Sequence, residues 1–169
     1  IVGKSGIGKT TLLNILGLLD NNYNGKYILF NSFINDMKST QLAKLRNQRI
    51  GFVLQESALI KSMTIEENIK LPLQYADSSY IFEEEKFNEI LNRIGIQSIL
   101  KKKPLECSGG EKSRAVFARA IIMQPSLILC DEPTASLDDY NKQQIIDLLF
   151  EMNEKKNVTI ITVTHDTNI

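Results

Sequence analysis

The loop GKSGIGKT, from Gly3 to Thr10, restricts the possible fold more than any other feature of this chain. It matches the pattern G-x-x-x-x-G-K-[ST], in which glycines let backbone N–H groups converge on phosphate oxygens. The apolar stub Ile1–Val2 precedes it, and KTTLLNILGLL follows with apolar residues at helical spacing. The order strand, loop, helix predicts an anion site at a helix N-terminus, which carries about +0.5 of an elementary charge.

Two side chains of this loop suit a nucleotide. Lys9 can reach the β- and γ-phosphates, and the Thr10 hydroxyl can ligate Mg²⁺. A glycine turn that merely connects a strand to a helix is the alternative. That alternative is weaker, because a plain connection does not require this lysine and this threonine.

Strand patterns alternate with helix patterns along the rest of the chain, which is typical of a parallel α/β sheet. The predicted fold class is therefore an α/β P-loop NTPase with a mostly parallel central sheet. The stretch from Thr64 to Leu100 contains no strand candidate, so we expect a helical subdomain at about residues 60–120, inserted within one domain that covers residues 1–169. The predicted strands are KYILF, IGFVL, SLILC and VTIITVT, and the predicted helices include STQLAKLRNQ, FEEEKFNEILNRIG, SGGEKSRAVFARAIIM and IIDLLFEMNEKK.

Composition excludes some function classes. The chain of 169 residues has 20 Lys+Arg and 20 Asp+Glu, so its formal charge is zero and we expect no nucleic-acid partner. Its two cysteines form no CxxC pair, which indicates a reduced, cytosolic setting. No apolar run is long enough to cross a bilayer. Because the chain starts without Met, two residues before the glycine loop, we expect it to be part of a longer protein.

Two acids end the apolar segment LILCDEP, from Leu127 to Pro133. Strand alternation points Asp131 and Glu132 in different directions, so they should have different roles. One can serve Mg²⁺ and the other can orient or deprotonate water. An exposed acidic turn is the alternative, and the nearby phosphate loop makes it less favoured.

Gln55 and His165 follow two other predicted strands, IGFVL and VTIITVT. The carboxyl ends of parallel strands face the ligand crevice, so both side chains are candidates for contact with the γ-phosphate, Mg²⁺ or the attacking water. Strand position alone does not separate this from an ordinary surface location.

A second glycine pair occurs in CSGGE, from Cys107 to Glu111. Ser108 and Glu111 form an S-x-x-E capping box, and Gly109 and Gly110 leave the backbone bare. Spacing alone favours an ordinary capped helix, but bare backbone at a helix start also suits a phosphate.

The motifs together resemble the ATP-binding cassette (ABC) ATPases. Their order is GKSGIGKT, VLQE, CSGGE, LILCDEP, ASLD and VTHD, and the resemblance runs from Val2 to Asp166. The segments LLNILGLLD, SMTIEENIKLPL and DEPTASLD are more similar to the macrolide, lipoprotein and bacteriocin-type peptide exporters than to importers. Two departures are Cys107, where the family commonly has Leu, and Glu111, where Gln is commoner.

The resemblance implies a role for each motif. Gln55 would touch Mg²⁺ and sense the transmembrane partner, Asp131 would be the Walker B aspartate, Glu132 the catalytic base and His165 the switch histidine at the γ-phosphate. Asp138 would belong to the D-loop, and Ser108 to Glu111 would close on ATP held by a second subunit. The Walker A residues would be Gly3, Lys4, Ser5, Gly6, Ile7, Gly8, Lys9, Thr10 and Thr11, and the second cradle would comprise Ser108, Gly109, Gly110 and Glu111.

The expected function is Mg²⁺-dependent ATP hydrolysis by a dimer that drives export through a separate permease. We expect a peripheral protein at the cytoplasmic face of the membrane, with ATP and Mg²⁺ as cofactors. A non-transport ABC ATPase of DNA repair or translation is the first alternative. A small-molecule kinase is the second, but it leaves CSGGE and His165 without a role.

Overall fold

The computed structural model describes residues 1–4, 6–54, 58–135 and 137–164. Helices and strands alternate through most of the chain. The helices are α1 (Lys9–Leu16), α2 (Ser39–Arg49), α3 (Ile65–Lys70), α4 (Glu84–Arg93), α5 (Gly109–Ile121) and α6 (Asp139–Lys156). The strands are β1 (Ile28–Leu29), β2 (Ser32–Phe33), β3 (Ile50–Val53), β4 (Leu127–Asp131) and β5 (Thr159–Val163). Short 3₁₀ helices occupy Ile34–Asp36, Leu71–Tyr75, Gln97–Ile99 and Pro104–Glu106.

The central sheet has the strand order β3-β4-β5, and both strand pairs are parallel. Val53 aligns with Cys130, and Asp131 aligns with Val163, so the three carboxyl ends lie at one edge of the sheet. Val2 adds an isolated parallel bridge to Thr164. Val2 is 59% exposed in spite of this pairing.

β4 is buried along its whole length and contributes residues to two hydrophobic clusters. Leu127 and Leu129 pack with Leu13 of α1 on one face, whereas Ile128 and Cys130 pack with α5 and α6 on the other. Alternating residues therefore serve opposite faces, as expected for a sheet covered by helices on both sides.

The predicted strand KYILF forms only the first arm and part of the turn of a tight hairpin. Only Ile28 and Leu29 pair, with Phe33 and Ser32, in an antiparallel ribbon separate from the central sheet. Phe30 and Asn31 have φ angles of 48° and 61°, which is the left-handed backbone that a two-residue hairpin turn requires. The strand prediction was too long because this turn falls inside the apolar run.

The described residues between β3 and β4 form helices joined by turns and contain no strand; the helices are α3, α4, α5 and three short 3₁₀ helices. Thr64 caps α3 and Ser108 caps α5, each through a reciprocal capping box with a glutamate. α5 packs against both α3 and β3, so the hydrophobic core continues from the helical segment to the sheet. The boundary of a separate helical subdomain at about residues 60–120 stays a prediction.

Close packing of α5 on the sheet depends on Gly51 in β3. A Cβ atom at this position would lie 2.3 Å from the carbonyl oxygen of Ala120, a distance that real Cβ contacts do not reach. Any larger residue would push the C-terminal part of α5 away from the sheet.

Cys107 and Cys130 are both buried and free. Cys107 stands behind the second glycine pair, and its thiol lies 3.5 Å from the carbonyl oxygen of Lys103. It belongs to the larger hydrophobic cluster despite its small size. Among the described residues, no helix is long and apolar enough to cross a membrane.

Candidate functional site

The glycine loop leads directly into α1. Gly6 and Gly8 adopt φ angles of 82° and 94°, a backbone region that favours glycine, and Gly8 is the N-cap residue of α1. No side chain caps α1. The first N–H groups of the helix are therefore available to an anion outside the chain, which is the arrangement that phosphate requires.

Lys9 folds back over this loop. Its ammonium donates hydrogen bonds to the carbonyl oxygens of Gly3 at 2.7 Å and Lys4 at 2.9 Å. These bonds hold the cation beside the backbone N–H groups that begin α1. The loop therefore combines a fixed positive charge with peptide donors, and both fit a polyphosphate. Ser5 lies outside the described residues.

The hydroxyl of Thr10 donates to Oδ2 of Asp131 over 2.8 Å. Thr10 lies in the first turn of α1, and Asp131 is the last residue of β4, with 6% of its surface exposed. The two groups are hard oxygen donors held side by side next to the phosphate loop. Mg²⁺ prefers this kind of partial protein site, in which a carboxylate and phosphate oxygens share the ion.

The described residues contain no cluster of three or more His, Cys, Asp or Glu side chains that could hold a metal. Among these residues Thr10 and Asp131 are the candidate Mg²⁺ ligands, and a nucleotide and water could supply others. This donor set fits Mg²⁺, which usually keeps several waters and uses few carboxylates.

Glu132 has a different environment from its neighbour. Its backbone is left-handed, with a φ angle of 51°, which costs a non-glycine residue about 1–2 kcal/mol. The N–H of Glu132 donates to the carbonyl oxygen of Val163 at 2.9 Å. Its Oε2 accepts a hydrogen bond from the hydroxyl of Thr164 at 3.1 Å. The adjacent carboxylates of Asp131 and Glu132 are thus held by different elements.

The second glycine pair begins α5. The N–H of Ser108 donates to Glu111 at 2.6 Å, and the N–H of Glu111 donates to the Ser108 hydroxyl at 3.2 Å. The first of these bonds is the main reason that the pKa of Glu111 is lowered. Ser108 and Gly109 are exposed, so the start of α5 faces solvent.

Asp138 is the N-cap residue of α6. Its carboxylate accepts from the backbone N–H of Asn141 at 3.0 Å and from the Asn141 side chain at 2.6 Å. These bonds lower the pKa of Asp138, the backbone bond contributing most. The observed role of Asp138 in this chain is therefore helix capping. Ser136, in the same loop, lies outside the described residues.

Gln55 and His165 also lie outside the described residues. Their predicted place rests on the strands that precede them, and both strands end beside β4. Val53 aligns with Cys130 and Val163 aligns with Asp131.

Sequence reasoning overlooked three polar residues with specific contacts. Thr164 donates to Glu132. Asn68 is fully buried, and Arg119 donates to the carbonyl oxygen of Ala58 at 2.6 Å. Only Thr164 had a usable signal, its position one residue before His165 at the predicted ligand end of the sheet.

Comparison with known proteins gives consistent results. A family model described as ABC transporter matches residues 1–135. The chain is 41% identical over 166 residues to the lipoprotein-releasing system ATP-binding protein LolD of Buchnera aphidicola, covering 98% of this chain and 72% of that protein. It is 42% identical over 166 residues to the bacitracin export ATP-binding protein BceA of Halalkalibacterium halodurans, covering 98% of this chain and 66% of that protein.

A solved structure of the cassette MJ0796, a dimer in a post-hydrolysis state bound to ADP and Pi, superposes with a TM-score of 0.91 at 38% identity. The superposition covers 99% of this chain and 74% of that one. The predicted fold class and the predicted family resemblance are confirmed.

Proposed function

The chain belongs to the ABC transporter family, and from this premise we propose that it is an ATP-hydrolysing subunit that powers export through a separate permease. The observation that carries the proposal is the hydrogen bond from Thr10 to Asp131 beside the Lys9 loop, which joins the phosphate-binding and carboxylate elements in one place.

ATP is held first by the glycine loop. The N–H groups at the start of α1 bind the phosphate oxygens, and Lys9 neutralises charge on the β- and γ-phosphates. The residues assigned to this binding are Gly3, Lys4, Ser5, Gly6, Ile7, Gly8, Lys9, Thr10 and Thr11.

Thr10 and Asp131 would hold Mg²⁺, with Gln55 as a further ligand. The ion, when bound, neutralises phosphate charge and orients the γ-phosphate. The hydrogen bond between Thr10 and Asp131 holds these two oxygen donors close together beside the phosphate loop.

Glu132 is the proposed general base. Its carboxylate would accept a proton from the water that attacks the γ-phosphorus, while its backbone stays fixed by the bond to Val163. His165 would contact the γ-phosphate from the strand that neighbours β4. These assignments rest on the order of the strand ends and on the family resemblance.

A second ATPase subunit completes the site in this proposal. The exposed start of α5, with Ser108, Gly109, Gly110 and Glu111, would bind the nucleotide held by the partner. Asp138 would lie at the same interface. The dimeric form of MJ0796 supports this arrangement.

The relatives indicate the kind of transport. LolD is named for lipoprotein release and BceA for bacitracin export, which supports a peptide, lipoprotein or drug-like cargo. The subunit would lie at the cytoplasmic face of the membrane, bound to its permease.

One experiment tests the proposal. The intact protein should co-purify from membranes with a membrane-spanning partner, and its Mg²⁺-dependent ATPase rate per chain should fall on dilution of the free subunit. A protein that is always free in the cytosol contradicts the transport role. A rate per chain that is independent of dilution contradicts the shared site, and a phosphorylated small-molecule product indicates a kinase.

A further inference from the structure

We propose that Thr164 is a positioning residue for Glu132: its hydroxyl holds the carboxylate in the orientation that its role as base requires. This inference rests on the proposed function, because it concerns the same reaction. It adds a residue that the motif pattern does not assign, and it depends on the hydrogen bond between Thr164 Oγ1 and Glu132 Oε2 at 3.1 Å.

The direction of this bond follows from chemistry. An ionised carboxylate can only accept hydrogen bonds, whereas a threonine hydroxyl can donate one. Thr164 must therefore be the donor while Glu132 carries its negative charge.

Thr164 is well placed to impose an orientation. It has 4% of its surface exposed, and its backbone is fixed by the parallel bridge to Val2 and by donation from its N–H to the carbonyl oxygen of Ile1 at 3.2 Å. A hydroxyl on such a fixed backbone has few positions available. It can therefore restrict the Glu132 side chain more than a group on a mobile loop would.

The backbone of Glu132 makes this restriction necessary. Its left-handed conformation turns the chain at the end of β4, and the bond from its N–H to Val163 fixes the Cα position. That bond does not fix the side-chain torsions. Thr164 follows Val163 directly, so one short segment at the end of β5 holds both the backbone and the carboxylate of Glu132.

Each of the two neighbouring acids accepts a hydrogen bond from a threonine hydroxyl. Asp131 accepts from the Thr10 hydroxyl at 2.8 Å, and Glu132 accepts from the Thr164 hydroxyl. Each threonine comes from a different element, α1 in one case and the end of β5 in the other. A threonine thus orients the side-chain carboxylate of the proposed metal ligand, and another threonine orients that of the proposed base.

Thr164→Val in the intact protein tests the inference, because valine has nearly the same shape and no donor. The readouts are kcat for phosphate release with saturating Mg²⁺–ATP and the equilibrium affinity for ATP, measured separately. We expect kcat to fall about threefold to tenfold while the affinity for ATP stays unchanged, since the carboxylate loses the donor that orients it but the phosphate loop is intact. Thr164→Ser, which keeps the hydroxyl, should restore most of kcat.

Thr159→Val is the matched control, the same change at the opposite end of β5 at an exposed position. It should leave both kcat and the affinity for ATP unchanged. If Thr164→Val does not fold, judged by its thermal transition, Thr164→Ala is measured in its place. An unchanged kcat in the Thr164 variant, or a loss of kcat that Thr164→Ser does not restore, overturns the inference.

Glu132→Gln separates this inference from the proposed function. If Glu132→Gln lowers turnover as expected but Thr164→Val leaves kcat unchanged, only the role of Thr164 fails. If Glu132→Gln hydrolyses ATP normally, the base assignment itself fails, and the role of Thr164 with it. In the Glu132→Gln background, Thr164→Val should change the residual rate by less than about twofold, because the group it acts on is absent.

Discussion

Thr10 and Asp131 lie 121 positions apart in the sequence, yet the threonine hydroxyl donates to the aspartate carboxylate over 2.8 Å. This contact connects the first turn of α1 to the end of β4. Because the phosphate loop precedes Thr10 directly, this contact also fixes where the Asp131 carboxylate lies relative to the loop.

Glu132→Gln should keep ATP binding but lower turnover by about 10²- to 10⁴-fold, the usual effect of losing a general base. Glutamine preserves the shape of the side chain and cannot take a proton from water. Equilibrium nucleotide binding and steady-state phosphate release measure the two effects separately. Glu154→Gln, at an exposed position of α6, is the control and should behave like the native protein.

Lys9→Ala should weaken ATP binding about 10- to 100-fold, which corresponds to the loss of a charge-assisted contact. The ammonium that now bonds to Gly3 and Lys4 would no longer be present to meet phosphate. Titration with a fluorescent ATP analogue measures the affinity. Lys26→Ala removes an exposed lysine outside the loop, and an equal loss there would contradict the assignment.

Ser108→Arg should leave nucleotide binding by one subunit intact and abolish hydrolysis. The large cation would occupy the exposed start of α5, where the partner's nucleotide is proposed to bind. Binding titration and phosphate release at several protein concentrations test this. Ser98→Arg adds the same side chain at another exposed serine and should remain active. Normal hydrolysis by Ser108→Arg would rule out the shared site.

Asn68→Leu should destabilise the protein by about 2–4 kcal/mol, the cost expected for several broken buried hydrogen bonds. The Asn68 side chain accepts from the N–H of Ile60 at 2.6 Å and donates to the carbonyl oxygens of Ile60 at 3.0 Å and Thr64 at 2.9 Å. Leucine leaves these backbone groups without that partner. Urea unfolding measures the loss, and Asn92→Leu at an exposed position of α4 should change stability little.

Glu111→Gln should reduce the loss of stability in acid. The bond from Ser108 lowers the pKa of Glu111, so its contribution is present above the ordinary glutamate pKa and is lost as pH falls through the lowered value. A glutamine amide oxygen can still accept from Ser108 but does not titrate. The urea midpoint should therefore fall less between pH 6 and about pH 3 in the variant than in the native protein. Glu85→Gln should show the same fall as the native protein.

Local pattern predicted most of the fold. The glycine loop, the alternation of β4 and the capping box of Ser108 with Glu111 each depend on neighbouring residues, and the parallel α/β class follows from the order of the strand and helix patterns. The hairpin at Phe30 and Asn31 was missed, because a left-handed phenylalanine has no local signal in an apolar run.

The candidate site was less accessible to sequence. The position of Asp131 and Glu132 at a strand end predicted that they lie near the phosphate loop. The hydrogen-bond partner of each acid could not be predicted, because it depends on tertiary contacts. Thr164 reaches Glu132 only because β4 and β5 are neighbours in this register. Asn68 lies in a helical pattern that gives no sign of full burial, since its partners are backbone groups of the preceding loop. The capping role of Asp138 was readable from Asn141 three positions later.

α5 has a mechanical consequence. It spans 13 residues, a rod of about 20 Å, with the Ser108 cap at one end and Arg119 near the other. Arg119 donates to the backbone of Ala58, three positions after Gln55 in the chain. A helix this short does not stretch, so α5 holds its capped glycine end and its Arg119 contact at a fixed spacing.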